Sequence, residues 1–135
     1  MATLIDSSLW IDLTRARSPR SLKAFIAPYV NDPEACLAEP IAFEVLRHAT
    51  DAEAEKLTRH FETMPLLASP VNLWSMAADL GRSCRRAGVN ASSLDLVIAA
   101  VTLHHAAELV TFDADFQEIG RVTGLRVNLL KRPKP

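Results

Sequence analysis

A set of acidic side chains in this sequence has the types and positions needed to bind divalent cations at one edge of a folded sheet. Each is predicted to lie directly after a short apolar strand or on a helix beside one. In a parallel sheet, ligands bind where the strands end and the loops begin, so acids from distant parts of the chain can converge there. The candidate metal ligands are Asp6, Glu44, Asp95 and Asp113, with Asp115 as a further candidate.

Clustered carboxylates repel one another unless a cation neutralises them, so this pattern favours a metal site. Mg²⁺ or Mn²⁺ suits a site made only of oxygen ligands. Glu44 lies in the apolar stretch 40–46, where an unpaired buried carboxylate would cost several kcal/mol. Zn²⁺ is not expected, because the histidines form no ligand pattern, and the adjacent His104 and His105 point apart on a helix.

Each acid also has an ordinary structural explanation. Asp6 and Asp113 could cap the helices that follow them, and such a cap stabilises a helix by about 1 kcal/mol. Asp95 fits a capping box that begins at Ser92. Glu44 could be a surface residue. Only the joint pattern favours a metal site over these separate roles.

Short apolar strands alternate with amphipathic helices, which predicts an α/β fold. The predicted strands are 2–5, 35–38, 109–110 and 125–130. Between them, apolar residues recur at helical spacing. We therefore expect a three-layer α/β/α fold with a central, mainly parallel sheet. A single domain is expected over residues 1–130, with 131–135 as a basic tail.

Capping residues and glycines predict where several helices begin and end. Ser18-Pro19 and Ser69-Pro70 each combine a capping serine with a proline suited to the first turn, so each predicts a helix start. Asp51 is predicted to cap another helix. A short helix is predicted from Asp113, and Gly120 is predicted to end it.

The composition is that of an ordinary globular domain. The 135 residues are 49% hydrophobic and 23% charged, with a formal net charge of −1. The apolar runs are too short to span a bilayer, and the first acid comes too early for a signal peptide. The cytoplasm is therefore the expected location, with no membrane partner. Cys36 and Cys84 form no CxxC pair and are expected to be reduced core residues.

Positive charge is concentrated in a few stretches although the whole chain is nearly neutral. Basic patches can bind phosphate backbones even on a neutral protein. On charge alone, solvated helix faces are the simpler explanation. The candidates for holding a nucleic-acid backbone are Arg15, Arg17, Arg82, Arg85 and Arg86.

Four stretches of the sequence together resemble the PIN-domain nucleases, and the VapC toxin branch in particular. The most specific are 4–12, LIDSSLWID, and 109–116, LVTFDADF. Between them come 38–46, which contains Glu44, and 94–100, LDLVIAA. The four stretches occur in the family's order and run from the first strand almost to the C-terminus.

This resemblance implies a set of roles for particular residues. The residues that match the family's catalytic and metal-binding acids are Asp6, Glu44, Asp95 and Asp113, with Asp115 as a candidate fifth ligand. The supporting polar groups near the metal or the substrate phosphate are Ser7, Ser8 and Thr111. The resemblance also implies Mg²⁺ or Mn²⁺ as cofactor, an RNA substrate (tRNA, rRNA or mRNA), a cognate antitoxin protein and a homodimer.

These expectations combine into one hypothesis, a metal-dependent endoribonuclease that acts as the toxin of a toxin–antitoxin pair. Metal activation of water makes a serine or histidine nucleophile unnecessary. One alternative is a PIN-like module that binds RNA or protein without catalysis. A second is a receiver-like regulatory domain, which would need a phosphate-accepting aspartate after a mid-chain strand, where this chain is predicted to be helical.

Overall fold

Four parallel strands form the central sheet. They are β1 (Thr3–Ile5), β2 (Ala35–Cys36), β3 (Glu108–Thr111) and β4 (Arg126–Leu129). The computed structural model describes residues 1–134, and the strands lie in the order β2-β1-β3-β4. Every neighbouring pair is parallel, with Leu4 of β1 opposite Cys36 on one side and Leu109 on the other.

Seven helices connect these strands within the described residues. The first four are α1 (Ser7–Thr14), α2 (Arg20–Val30), α3 (Glu39–Arg47) and α4 (Asp51–Phe61). The others are α5 (Leu73–Arg86), α6 (Ser93–His104) and α7 (Asp115–Thr123).

The core lies around the two central strands, β1 and β3. Leu4, Ile5 and Leu109 are completely buried. Such uninterrupted apolar strands are typical of a sheet that is covered on both faces. On α1, Trp10 is also completely buried and packs edge-to-face on Phe61 of α4, with ring centroids 5.0 Å apart.

The connections explain how the helices cover both faces. The steps from β1 to β2 and from β3 to β4 run toward opposite edges of the sheet. Because parallel crossovers are right-handed, α1 and α2 lie on the face opposite to α7. α1 packs on α2 and α3, whereas α5 and α6 pack on each other and on α7. The predicted α/β fold with a parallel sheet is confirmed.

Neither serine–proline pair caps a helix in the predicted way. Pro19 itself occupies the N-cap position of α2, and no side chain caps that helix. α5 begins only after Asn72, because the residues that follow Ser69-Pro70 first form a turn. In both cases the proline lies outside the first helical turn, so the prediction placed the start too early.

The cap of α4 is the residue before the predicted one. Thr50 accepts a hydrogen bond from Glu53 N, and the Glu53 carboxylate accepts one from Thr50 N. This reciprocal capping box satisfies two backbone donors, so Asp51 is left as the first residue of the helix.

The prediction that Gly120 ends the last helix is wrong. α7 continues to Thr123, and Gly124 ends it with a positive φ of 81°, which a residue without a side chain adopts at little cost. Gly120 has a different role, because a Cβ atom there would lie 2.8 Å from the backbone oxygen of Leu125. It is needed where α7 lies close to the chain that enters β4.

Three smaller expectations concern the cysteines, the membrane and the tail. Cys36 and Cys84 are buried free thiols, as predicted. No helix within residues 1–134 is long and apolar enough to cross a membrane. Residues 131–134, part of the expected basic tail, form no helix or strand. Pro135, the last residue of that tail, lies outside the described residues.

Candidate metal centre

Asp6 is buried at the carboxyl end of β1, where hydroxyl groups surround its carboxylate. Its Oδ2 accepts hydrogen bonds from Ser8 Oγ at 2.9 Å and from Thr111 Oγ1 at 2.7 Å. Ser7 Oγ lies 3.4 Å from the other oxygen, Oδ1. Asp6 occupies the N-cap position of α1, but its side chain makes no capping hydrogen bond. The ordinary explanation, a helix cap, therefore does not account for this residue.

Hydrogen bonds join the loop after β3 to Asp6. Asp6 N donates to Val110 O at 2.9 Å, so the pairing of β1 with β3 extends to the acid itself. Thr111 Oγ1, which donates to Asp6, accepts from Asp113 N at 2.9 Å. Asp113 Oδ1 in turn accepts from Asp115 N at 2.9 Å. Two strand ends are thus held together by polar groups as well as by the sheet.

Glu44 reaches the same place from α3. Its carboxylate accepts a hydrogen bond from Ser7 Oγ, the hydroxyl that also lies beside Asp6. The side chain is half-buried rather than on the open surface. A serine predicted as a supporting polar group thus lies between two of the predicted acids.

Asp95, Asp113 and Asp115 form the open side of the acid cluster. Each offers one carboxylate oxygen, and these three atoms lie within 4.8 Å of one another. Asp95 and Asp113 are half-buried, whereas Asp115 is exposed. Asp95 N also donates to Ser92 Oγ at 3.2 Å. Asp95 therefore takes part in the predicted helix cap and in the cluster at once.

The pKa of Asp95 reports how closely the acids approach one another. This pKa is raised from 3.8 to about 6; burial is the largest cause, and a hydrogen bond with Ser92 acts in the opposite direction. The negative charges of Asp113, Asp6 and Glu44 contribute to the same upward shift. The Asp95 carboxylate is therefore close enough to three other carboxylates, which come from different parts of the chain, for their charges to raise its pKa.

The pKa of Asp6 is raised as well. Burial is the largest cause, and Glu44 adds to it, while the hydroxyls of Thr111 and Ser8 act in the opposite direction. A site with such raised pKa values favours bound protons or a bound cation over free negative charge. Its donors are all oxygen atoms, which fits Mg²⁺ or Mn²⁺.

The predicted arginine candidates occupy two separate surfaces. Arg15 and Arg17 are exposed where α1 ends. Arg82, Arg85 and Arg86 are exposed near the C-terminal end of α5 and together line one surface hollow. Arg82 already pairs with Asp79, at 2.6 Å, so part of its charge is neutralised.

Sequence reasoning missed one charged contact beside the cluster. Arg132 Nε donates to Asp12 Oδ2 at 2.7 Å, and its guanidinium carbon lies 4.5 Å from the centre of the Phe112 ring. Arg132 lies in the stretch that the sequence predicted to be a basic tail. The two partners are 120 residues apart, and no spacing pattern in the sequence links them.

The acid cluster lies inside the region that a family model matches. Residues 3–122 match the model described as "PIN domain", and these residues contain all five acids. The chain belongs to the PIN-domain family. It is 36% identical over 129 residues to "Ribonuclease VapC11" of Mycobacterium tuberculosis, with 91% of this chain and 95% of that protein covered.

Solved structures show the same fold at low sequence identity. VapBC2 from Rickettsia felis, bound to a DNA fragment from its promoter, matches with a TM-score of 0.75 at 14% identity, covering 97% of this chain and 100% of that one. DNA-bound VapBC from Salmonella typhimurium matches with a TM-score of 0.74, also at 14% identity, covering 95% of this chain and 97% of that one. These likenesses concern the PIN fold.

Proposed function

We propose that this PIN-domain protein is a metal-dependent endoribonuclease that acts as the toxin of a toxin–antitoxin pair. The observation that carries the proposal is the convergence of five acids from four parts of the chain at one edge of the sheet. Its support from relatives is the 36% identity to a VapC ribonuclease over nearly the full length of both proteins.

The acids in the open part of the cluster and those in the buried part have different proposed roles. Asp95, Asp113 and Asp115 are the ligands nearest to one another and would hold Mg²⁺ or Mn²⁺ directly. Asp6 and Glu44 supply negative charge behind them, and hydroxyl groups fix the orientation of both carboxylates. A bound divalent cation supplies the activation of water and the neutralisation of charge on the scissile phosphate.

The expected reaction is hydrolysis of an RNA phosphodiester bond by water. Attack on phosphorus opposite the 3′ oxygen leaves a 5′-phosphate on one product and a 3′-hydroxyl on the other. Cleavage by the RNA's own 2′-hydroxyl would instead leave a cyclic phosphate and a 5′-hydroxyl. The 5′ end of the product therefore distinguishes a metal-dependent hydrolase from a metal-independent ribonuclease.

Replacement of Asp6 by asparagine tests this proposal. Asp6→Asn keeps the size of the side chain but removes charge that supports the cation, which should cost several kcal/mol of transition-state stabilisation, or about 10²–10³-fold in rate. The measurement is sequencing of new 5′-phosphate ends in RNA after the wild-type or variant protein is induced. Asp51→Asn, which changes an exposed carboxylate at the start of α4, is the matched control.

Loss of the new ends in Asp6→Asn, with their retention in Asp51→Asn, is the expected result. Cleavage by Asp6→Asn at the wild-type rate would contradict the proposal. So would a wild-type protein that binds Mn²⁺ but cleaves no RNA, since that describes a binding module.

The proposed partners are an RNA substrate (tRNA, rRNA or mRNA), a cognate antitoxin and a second copy of this chain. An antitoxin can silence the site by placing a basic side chain among the acids, since their negative charge attracts one. For RNA, the exposed arginines at the end of α1 and on α5 offer phosphate contacts. Replacing such contacts should weaken RNA binding and reduce its salt dependence without changing the affinity for metal.

A further inference from the structure

The segment after β4 crosses the carboxyl edge of the sheet and reaches the first helix. Leu130 N donates to Thr111 O at 2.8 Å, so pairing with β3 continues one residue past β4. Two residues later, Arg132 Nε donates to Asp12 on α1. Because β3 lies between β4 and β1 in the sheet, this segment passes over the end of β3. That is the edge on which the acids converge.

Arg132 also contacts the loop that carries a metal ligand. Its guanidinium lies over the ring of Phe112, the residue directly before Asp113, in a cation–π contact. Phe112 N donates at 3.1 Å to Ser8 Oγ, the hydroxyl that donates to Asp6. One arginine thus joins the helix that follows Asp6 to the loop that presents Asp113.

The ion pair between Arg132 and Asp12 differs from an ordinary surface ion pair because Asp12, on α1, is nearly buried. The side chain of Asp12 is only 12% exposed, whereas that of Arg132 is 50% exposed. A carboxylate at such a position is costly unless it is paired, so the arginine is held where the acid lies. A planar guanidinium can pair with a carboxylate and stack on an aromatic ring at once, which a lysine ammonium cannot do in the same way.

We propose that Arg132 is a positioning residue of the metal centre. By joining Asp12 to Phe112, it holds the loop 111–113 in the place from which Asp113 can share a cation with Asp95. It acts through the loop rather than by contact with the cation. This inference rests on the metal centre proposed above. Polar partners behind metal ligands commonly change metal affinity by about 10–100-fold when they are removed.

The direction of the change in metal affinity distinguishes a positioning role of Arg132 from a purely electrostatic effect of its charge. Arg132 is a cation near a site for cations, so its charge alone repels the metal. If charge were its only influence, Arg132→Ala would bind metal more tightly than the wild type. Positioning requires the opposite result.

The experiment is calorimetric titration of Mn²⁺ into the wild-type protein, Arg132→Ala and Lys131→Ala. The lysine variant is the matched control, because it removes the same charge from the neighbouring residue. We expect Arg132→Ala to bind Mn²⁺ about 10-fold more weakly, and Lys131→Ala to bind it as the wild type does or slightly more tightly. Arg132→Lys should fall between Arg132→Ala and the wild type, because a lysine can keep the ion pair with Asp12 but loses the stacking on Phe112.

A second measurement tests, in metal-free protein, whether Arg132 restricts the motion of the loop. Hydrogen exchange of the segment 111–116 should be faster in Arg132→Ala than in Lys131→Ala, because the loop has lost its attachment to α1. If Arg132→Ala folds poorly by circular dichroism, Arg132→Lys and Phe112→Leu replace it. Both keep the positive charge near the site, and both should weaken Mn²⁺ binding.

Unchanged or tighter Mn²⁺ binding by Arg132→Ala would overturn the inference. A higher KM for RNA with unchanged metal affinity would also overturn it, because Arg132 would then be a substrate contact. A wild-type protein that binds no Mn²⁺ would remove the metal centre itself. The exchange data distinguish that outcome from a failure of the arginine's role alone.

Discussion

In the proposed metal centre, protons and divalent cations would compete for the same carboxylates at the edge of the sheet. Asp95 shows this most clearly, because burial and the neighbouring acids Asp113, Asp6 and Glu44 all raise its pKa. At neutral pH the metal-free protein must keep the Asp95 carboxylate charged at a cost. A bound cation would remove that cost and stabilise the fold, by about 2.7 kcal/mol at a concentration 100 times its Kd.

Asp95→Asn should remove a pH-dependent weakness of the metal-free protein. The pKa of Asp95 is raised from 3.8 to about 6, so its proton stabilises the folded state. This stability is complete below the unfolded-state pKa and is lost as the pH rises through about 6. The full shift corresponds to about 3 kcal/mol, which solvent at this half-buried site reduces to about 1–2 kcal/mol.

The measurement is urea unfolding in a chelator at pH 5 and pH 7.5. Between these values, the wild type should lose about 0.5–1 kcal/mol of unfolding free energy relative to Asp95→Asn, because about half of the full effect is already lost below pH 5. Mg²⁺ at pH 7.5 should restore the wild type but not the variant. The same pH dependence in both proteins would show that Asp95 has an ordinary pKa.

The approach of the acids to one another could be predicted from the sequence, because parallel strands place their carboxyl ends together. Asp6 and Asp113 follow neighbouring strands, so the fold alone brings them close. The ion pair between Arg132 and Asp12 could not be found in this way. It depends on the path of a segment without regular structure, which no periodicity describes.

At the scale of the elements, the approach of α7 to β4 depends on a glycine. Gly120→Ala would normally favour a helix by about 1 kcal/mol, because glycine is a poor helix former. Here the new Cβ would lie 2.8 Å from the backbone oxygen of Leu125. We expect the clash to outweigh the gain and to lower the unfolding free energy by about 1–2 kcal/mol.

Gly81→Ala in the middle of α5 is the matched control. Its nearest contact would be Leu96 Cδ1 at 3.0 Å, the end of a flexible side chain that can move. Thermal or chemical unfolding should therefore show little loss, or a small gain, for Gly81→Ala. A Gly120→Ala protein as stable as Gly81→Ala would mean that α7 is free to shift from the strand.

The strands and helices were easier to predict than their ends. Apolar runs and helical spacing reflect burial, which the fold satisfies over whole elements. An end depends on single hydrogen bonds, such as the Thr50 cap beside the predicted Asp51. The role of Gly120 depends on its close approach to Leu125, a contact in the folded chain that helical periodicity does not reveal.

At the scale of the whole molecule, one apolar surface is the candidate interface for the proposed homodimer. It is a groove of about 500 Å³, lined chiefly by Pro40, Phe43, Leu73, Trp74, Leu94 and Val97. Trp74 is 74% exposed and Phe43 60% exposed, and contiguous exposed apolar surface of this kind marks interaction sites. A two-fold interface would cover the groove on both copies at once.

Trp74→Glu should therefore convert a dimer to a monomer in light scattering, with at least a 10-fold rise in the dissociation constant, or about 1.4 kcal/mol. Leu66→Glu, at an exposed apolar residue outside the groove lining, should leave the mass unchanged. A wild-type monomer at all concentrations, or a Trp74→Glu dimer, would contradict this placement.

The most direct test of the account is anomalous diffraction from crystals of the protein grown with Mn²⁺. We expect an anomalous peak among the carboxylates of Asp95, Asp113 and Asp115, with ligand distances of about 2.0–2.5 Å. Asp6 and Glu44 should lie behind the peak, and Asp113→Asn crystals should lack it. Manganese bound only elsewhere, or a cluster that stays empty at saturating Mn²⁺, would contradict the claim that these acids form one cation site.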